Sequence, residues 1–165
     1  MNGPNHLSIL GIIHTAISII ALVVALLALV ADGRVDPAKT LGKWYVWLTV
    51  LTCVTGFPIM KTGHFTPGHY LSIIIVILLP LGIYAHRIFG KAGDYLQVIF
   101  ISTTVFLSFI PAVVETLTRL PISAPLASEP NDPIIQKAFG GLILIFVLGV
   151  IYQLVKLRTA KKAAV

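Results

Sequence analysis

The chain has 165 residues, of which 57% are hydrophobic and 11% charged, with a mean hydropathy of +0.96. Soluble domains carry about a quarter charged residues, so this composition excludes an ordinary soluble domain and a disordered chain alike. The formal charge of +6 would suggest nucleic acid in a soluble protein; here it reads as membrane topology, and no nucleic-acid partner is expected.

A membrane-crossing helix needs about 20 mostly apolar residues, within a range of roughly 17 to 25. Five stretches meet that demand: residues 6–31, 43–60, 68–88, 95–120 and 134–157. Unpaired backbone groups are intolerable in lipid, so each is expected to be helical. That includes Ile73-Ile74-Ile75-Val76-Ile77, a β-branched run that would favour a strand in water. The first stretch is not read as a signal peptide. No Lys or Arg precedes it, it outruns an h-region, and no small-x-small site stands before Asp32. The fold expected is an all-α integral membrane protein, one five-helix bundle over residues 1–165.

Five crossings put the termini on opposite sides. Nine of the twelve basic residues then share one side: Arg34, Lys39, Lys43, Arg87, Lys91, Lys156, Arg158, Lys161 and Lys162. Lys61, Arg119 and Lys137 lie on the other. The positive-inside rule places the N-terminus outside and the C-terminus in the cytoplasm. Trp44, Tyr45, Trp47, Tyr84, Tyr95 and Tyr152 fall near the cytoplasmic boundary, as an aromatic belt would.

Helix faces follow from spacing. In the first segment Gly11, His14, Ser18, Ala21, Ala25, Ala28 and Asp32 form a small and polar stripe, suited to close helix approach. Ile12, Ile13, Ile20, Val23, Leu27 and Val30 form the opposite, lipid-facing side. Packing stripes are also expected at Gln97, Thr104, Ser108, Pro111, Glu115 and Thr118, at Thr49, Thr52 and Gly56, and at Gly141, Gly149 and Gln153. His14 and Glu115 are therefore expected to face the bundle interior. Pro58, Pro80 and Pro111 are expected to kink their helices. The loop 121–133, with four prolines, reads as a solvated external connector.

Ionisable side chains inside a membrane are functional candidates by default. The topology gathers His6, His14, His64, His69, Glu115 and Arg119 toward the external half. Two chemistries use such a set. In b-type haem, two imidazoles from facing helices ligate the iron and surface cations or hydroxyls hold the propionates. His14 with His69 or His64 would be the ligands, and Arg119, Lys61 or Tyr70 would meet the propionates. Alternatively, His14, His64, His69 and Glu115 would hold a zinc, copper or iron ion. The plainer reading makes the interfacial histidines solvated and Glu115–Arg119 an ordinary i,i+4 pair. His14, deeper and on the packing stripe, fits that reading least. Cys53 is the one cysteine, so neither a disulfide nor a cysteine-built metal site is expected.

A second constellation, His86-Arg87-Ile88-Phe89-Gly90-Lys91, lies 17 residues beyond His69, roughly 25 Å along a helix, too far to share one cofactor. It reads as a helix end, with basic residues at the C-terminus and Gly90 as the left-handed cap. His86-Arg87-x-x-Gly90-Lys91, followed by Tyr95 after Ala92-Gly93-Asp94, resembles the His-Arg-x-x-Gly-Arg/Lys-x-Tyr segment of small multi-helix bacterial membrane proteins, and loosely the helix ends of b-type cytochrome bundles. The resemblance implies a polytopic protein of the bacterial cytoplasmic membrane, linked to redox chemistry, and carries over no catalytic residue.

The function expected from the residues is b-type haem binding in membrane electron transfer, with quinone or an external protein as the electron partner. The alternatives are a non-redox accessory or assembly subunit of a larger membrane complex, alone or as a homo-oligomer, and a non-haem metal-dependent membrane enzyme.

Overall fold

The computed structural model describes residues 8–59 and 64–163. It is helical throughout, with no strand among the described residues: α1 (Ile9–Asp32), α2 (Thr40–Gly56), α3 (Pro67–Ile83), α4 (Ala85–Phe89), a single 3₁₀ turn (Gly90–Ala92), α5 (Gly93–Arg119) and α6 (Pro133–Ala163). Three stretches are long and apolar enough to cross a membrane: Ile9–Asp32, Ala85–Arg119 and Pro133–Ala163. α3 is apolar but has 17 residues, and α2 has the same length. At 1.5 Å per residue these two helices reach about 26 Å, at the short limit for a span.

The helix ends follow local chemistry. The Ser8 hydroxyl accepts the Gly11 N–H at 3.1 Å and opens α1. Gly33 closes it in the left-handed conformation at φ 73°, donating to the Leu29 carbonyl. Pro58 lies just past α2 and accompanies its end rather than kinking it, whereas Pro80 and Pro111 lie inside α3 and α5. The expected third helix, 68–88, is divided at Tyr84 into α3 and α4. Gly90 does take a positive φ of 54° there.

α1 packs on α2, α2 on α3, α3 on α5, and α5 on α1, which closes a ring of four helices. The core of that ring is Ala25, Ala28, Val35, Tyr45, Cys53, Ile75, Leu79, Ile101 and Val105. α6 supplies none of these residues, and among the described helices it packs on α5 alone. The stripe expected on α1 is the buried one: Gly11, Ala21, Ala25 and Ala28 are buried, and His14 and Ser18 half-buried. Ile12, Ile13, Ile20, Val23, Leu27 and Val30 are all exposed.

Two expected placements differ. Tyr45 is 0% exposed, and its hydroxyl meets that of Thr104 at 2.8 Å in the core, so it is no member of a surface belt. α2 buries Gly42, Tyr45, Thr49 and Cys53, a 3-4-4 spacing that turns Tyr45 inward while Trp44 and Trp47 stay exposed. On α6, Gln153 is buried and takes a hydrogen bond from Ser102, but neither Gly141 nor Gly149 packs closely: a Cβ at either would meet nothing within 4 Å among the described residues.

The basic end is laced together. Lys161 pairs with Asp94, whose other oxygen is 3.4 Å from His86 Nδ1, linking α6, α5 and α4. Arg34 pairs with Asp36 at 2.7 Å and Lys39 with Asp32, while the Lys156 side chain lies against Gly33.

Candidate functional site

His14 and His69 approach the same turn of α2 from its two neighbours in the ring. The ring of His14 rests on Gly56, where an added Cβ would come within 3.0 Å of its Cε1. His14 Nδ1 lies 3.1 Å from the Thr52 carbonyl and 3.2 Å from the Thr55 hydroxyl. A carbonyl only accepts, so Nδ1 carries the hydrogen and Nε2 keeps the lone pair in the neutral ring. An imidazole oriented in this way is how proteins commonly present Nε2 to a metal.

His69 is 3% exposed and fully engaged. The Thr66 backbone N–H donates to its Nδ1 at 3.0 Å, and the Thr66 hydroxyl also lies 2.8 Å from that atom. Its Nε2–H therefore donates to the Phe57 carbonyl at 3.1 Å. Thr66 and His69 form a capping box on α3 with histidine where glutamate or glutamine usually stands. Phe57 and Phe65 set their rings edge-on to His69, with centroids at 6.1 and 5.1 Å. His69 thus fastens the end of α2 to the start of α3, and in this arrangement neither nitrogen has a free lone pair. To ligate iron or any other metal it would have to leave Phe57 or Thr66.

The other candidates lie apart. His64 is exposed at the edge of the described residues, and Lys61 and His6 lie outside them. Glu115, expected inside, is exposed and pairs with Arg119 one turn on. Among the described residues no three His, Cys, Asp or Glu side chains gather as one metal site. Tyr70 is exposed, tilted against Phe65 at 6.2 Å.

Between His14 and Tyr45 runs a polar track that joins the stripes expected at Thr49 and Thr52 and at Thr104 and Ser108 through two residues spacing did not single out, Thr55 and Tyr45. It comprises Thr55, Thr52 and Thr49 on α2, then Tyr45, Thr104 and Ser108. Thr104 donates to the Ile101 carbonyl at 2.7 Å and Ser108 to the Thr104 carbonyl at 2.9 Å. The Thr49 and Thr52 hydroxyls are buried without a partner among the described residues. The signal for the track was the four-residue spacing Tyr45-Thr49-Cys53, which the aromatic-belt reading of Tyr45 hid.

The chain matches no known family model, and neither the curated proteins nor the solved structures contain a significant match.

Proposed function

We propose that the protein is a five-span membrane subunit, N-terminus outside, that acts by docking α6 against a helix of a partner membrane protein. α2 and α3 complete the five crossings in this reading, at the short end of the permitted length. The observation that carries it is a contrast among glycines. Three glycines in the helices of the four-membered ring press on a neighbour: Gly42 on the Asp36 backbone, Gly56 on His14, Gly82 on Ile101. Gly93 does the same against His86 and Ala85 at the start of α5. Gly140, Gly141 and Gly149 of α6 meet nothing within 4 Å among the described residues. Small residues let membrane helices approach closely, which is a use only if a second helix arrives.

Cross-linking tests this reading. With Cys53 replaced by Ser, a cysteine in place of Gly141 is expected to give a hetero-adduct in native membranes, and one in place of Ile12 on α1 is not. An adduct of twice the chain's own mass would indicate a homo-oligomer and sink the subunit reading, as would labelling that is equal from both positions.

A second reading, haem or metal binding at His14, has its own support in the Nδ1–Thr52 hydrogen bond that leaves Nε2 as the lone-pair nitrogen. Such a group would bring electron-transfer or Lewis-acid chemistry, and His14 would be the residue holding it. An optical spectrum of the purified protein, oxidised and then reduced, separates the two. A Soret band that shifts on reduction and is lost in His14→Ala supports haem. A featureless spectrum from cells supplied with haem removes it.

A further inference from the structure

We infer that the exposed face of α2 is a binding site for one anionic phospholipid, with Lys43 holding the phosphate. It rests on membrane embedding and not on the docking role of α6, so either can fail alone.

α2 has two unlike faces. Gly42, Tyr45, Thr49 and Cys53 are buried, while Thr40, Lys43, Trp44, Trp47, Leu51 and Val54 are exposed. The second set recurs every three or four residues and so forms one continuous strip. Its chemistry changes in order along the helix, from a hydroxyl and an ammonium, through two indoles, to aliphatic side chains. From Thr40 to Val54 the strip covers about 21 Å. A phospholipid presents the same order, with phosphate, then glycerol esters at the depth where indoles prefer to sit, then acyl chain. Thr40, Lys43, Trp44 and Trp47 line a shallow, open depression of about 320 Å³ at the polar end.

Charge selects the lipid. The nearby carboxylates are already taken, Asp36 by Arg34 and Asp32 by Lys39, and Lys43 meets no acid among the described residues. A lysine held at a membrane surface favours an anionic headgroup by about fivefold over a zwitterionic one. A free phosphate would satisfy Lys43 but would leave Trp44, Trp47 and the aliphatic strip without a role.

Trp44 and Trp47 are the chain's two tryptophans, so its intrinsic fluorescence reports this depression. The full chain is placed in bilayers doped with brominated phosphatidylglycerol or brominated phosphatidylcholine, whose bromines quench indoles on contact. The anionic lipid is expected to reach half-maximal quenching at about a fivefold lower mole fraction. Lys43→Gln should bring the two curves together, Lys43→Arg should keep them apart, and Arg158→Gln, at the same end, should leave them unchanged. Equal quenching of the unaltered protein by both lipids overturns the proposal. So does a preference that survives in Lys43→Gln.

Discussion

The last turn of α2 and the middle of α6 use glycine in opposite circumstances. At Gly56 an imidazole lies where a side chain would be, and two histidines fasten the turn to α1 and α3. At Gly140 and Gly141 the same residue type faces open space on a helix with one neighbour. Glycine costs about 0.5–1 kcal/mol relative to alanine inside a helix. In the ring the return for that cost is visible as close packing. On α6 nothing among the described residues supplies it, and in the proposed docking role the contrast separates what stabilises the molecule from what it would offer a partner.

That contrast can be broken by substitution. The largest effect is expected from Gly42→Ala, because the new methyl would fall on the Asp36 carbonyl, backbone that cannot swing aside. A loss of about 3 kcal/mol is expected, at the upper end for overpacking. It would be measured as a lowered thermal midpoint in detergent by circular dichroism. An unchanged midpoint would mean that the α1–α2 connection is looser than described. His69→Ala should cost about 2 kcal/mol, since it removes the capping box and leaves the Phe57 carbonyl without a donor. If His69→Ala melts like the parent, the fastening role assigned to His69 fails.

Gly141→Ala should move the other way. In the isolated chain it is expected to add about 0.5–1 kcal/mol, because a methyl there touches nothing and the helix backbone is stiffer. A destabilised Gly141→Ala would reveal an intramolecular contact and end the comparison. The smallest effect concerns the start of α6, which hydrogen bonding holds in place of deep burial. The Asp132 carboxylate accepts from the Ile134 N–H at 3.1 Å and from the Ser128 N–H at 3.2 Å. These donors, Ile134 foremost, hold its carboxyl below the usual carboxylate value. A depressed folded value contributes stability above the ordinary carboxylate pKa and loses it as pH falls through the folded one. Acid should therefore fray the first turn of α6, seen as lost amide protection at Gln136 and Lys137. Asp132→Asn should remove the pH dependence.

Much of α1 could be read from spacing alone, since a stripe of Gly, His, Ser and Ala opposite a stripe of Ile, Val and Leu has one sensible orientation in a bilayer. Tyr45 could not be read in the same way. Its neighbours Trp44 and Trp47 are exposed, and a rule about aromatic residues outweighed the four-residue rhythm that buries it. His69 was singled out as a ligand because an ionisable side chain in a membrane segment is a functional candidate by default, although Thr66-x-x-His69 has the spacing of a capping box with histidine in the place of glutamate. Glu115 was expected inside because it continues the stripe of α5. That stripe is buried at Thr104 and half-buried at Ser108, then runs out beyond Pro111 to a surface pair with Arg119. Periodicity tells which side of a helix is polar; it does not tell how far along the helix its neighbours extend.

The absence of α6 from the core cluster bears on the order of assembly. Every residue of the ring's own core cluster lies at or before Val105, so the ring can close while the last helix is still being made. A chain emerging in order would present its open glycine face only after the rest had packed. In the proposed docking role, engagement of a second protein would then follow closure of the ring, since an unclosed ring and an exposed α6 need never coexist on one nascent chain.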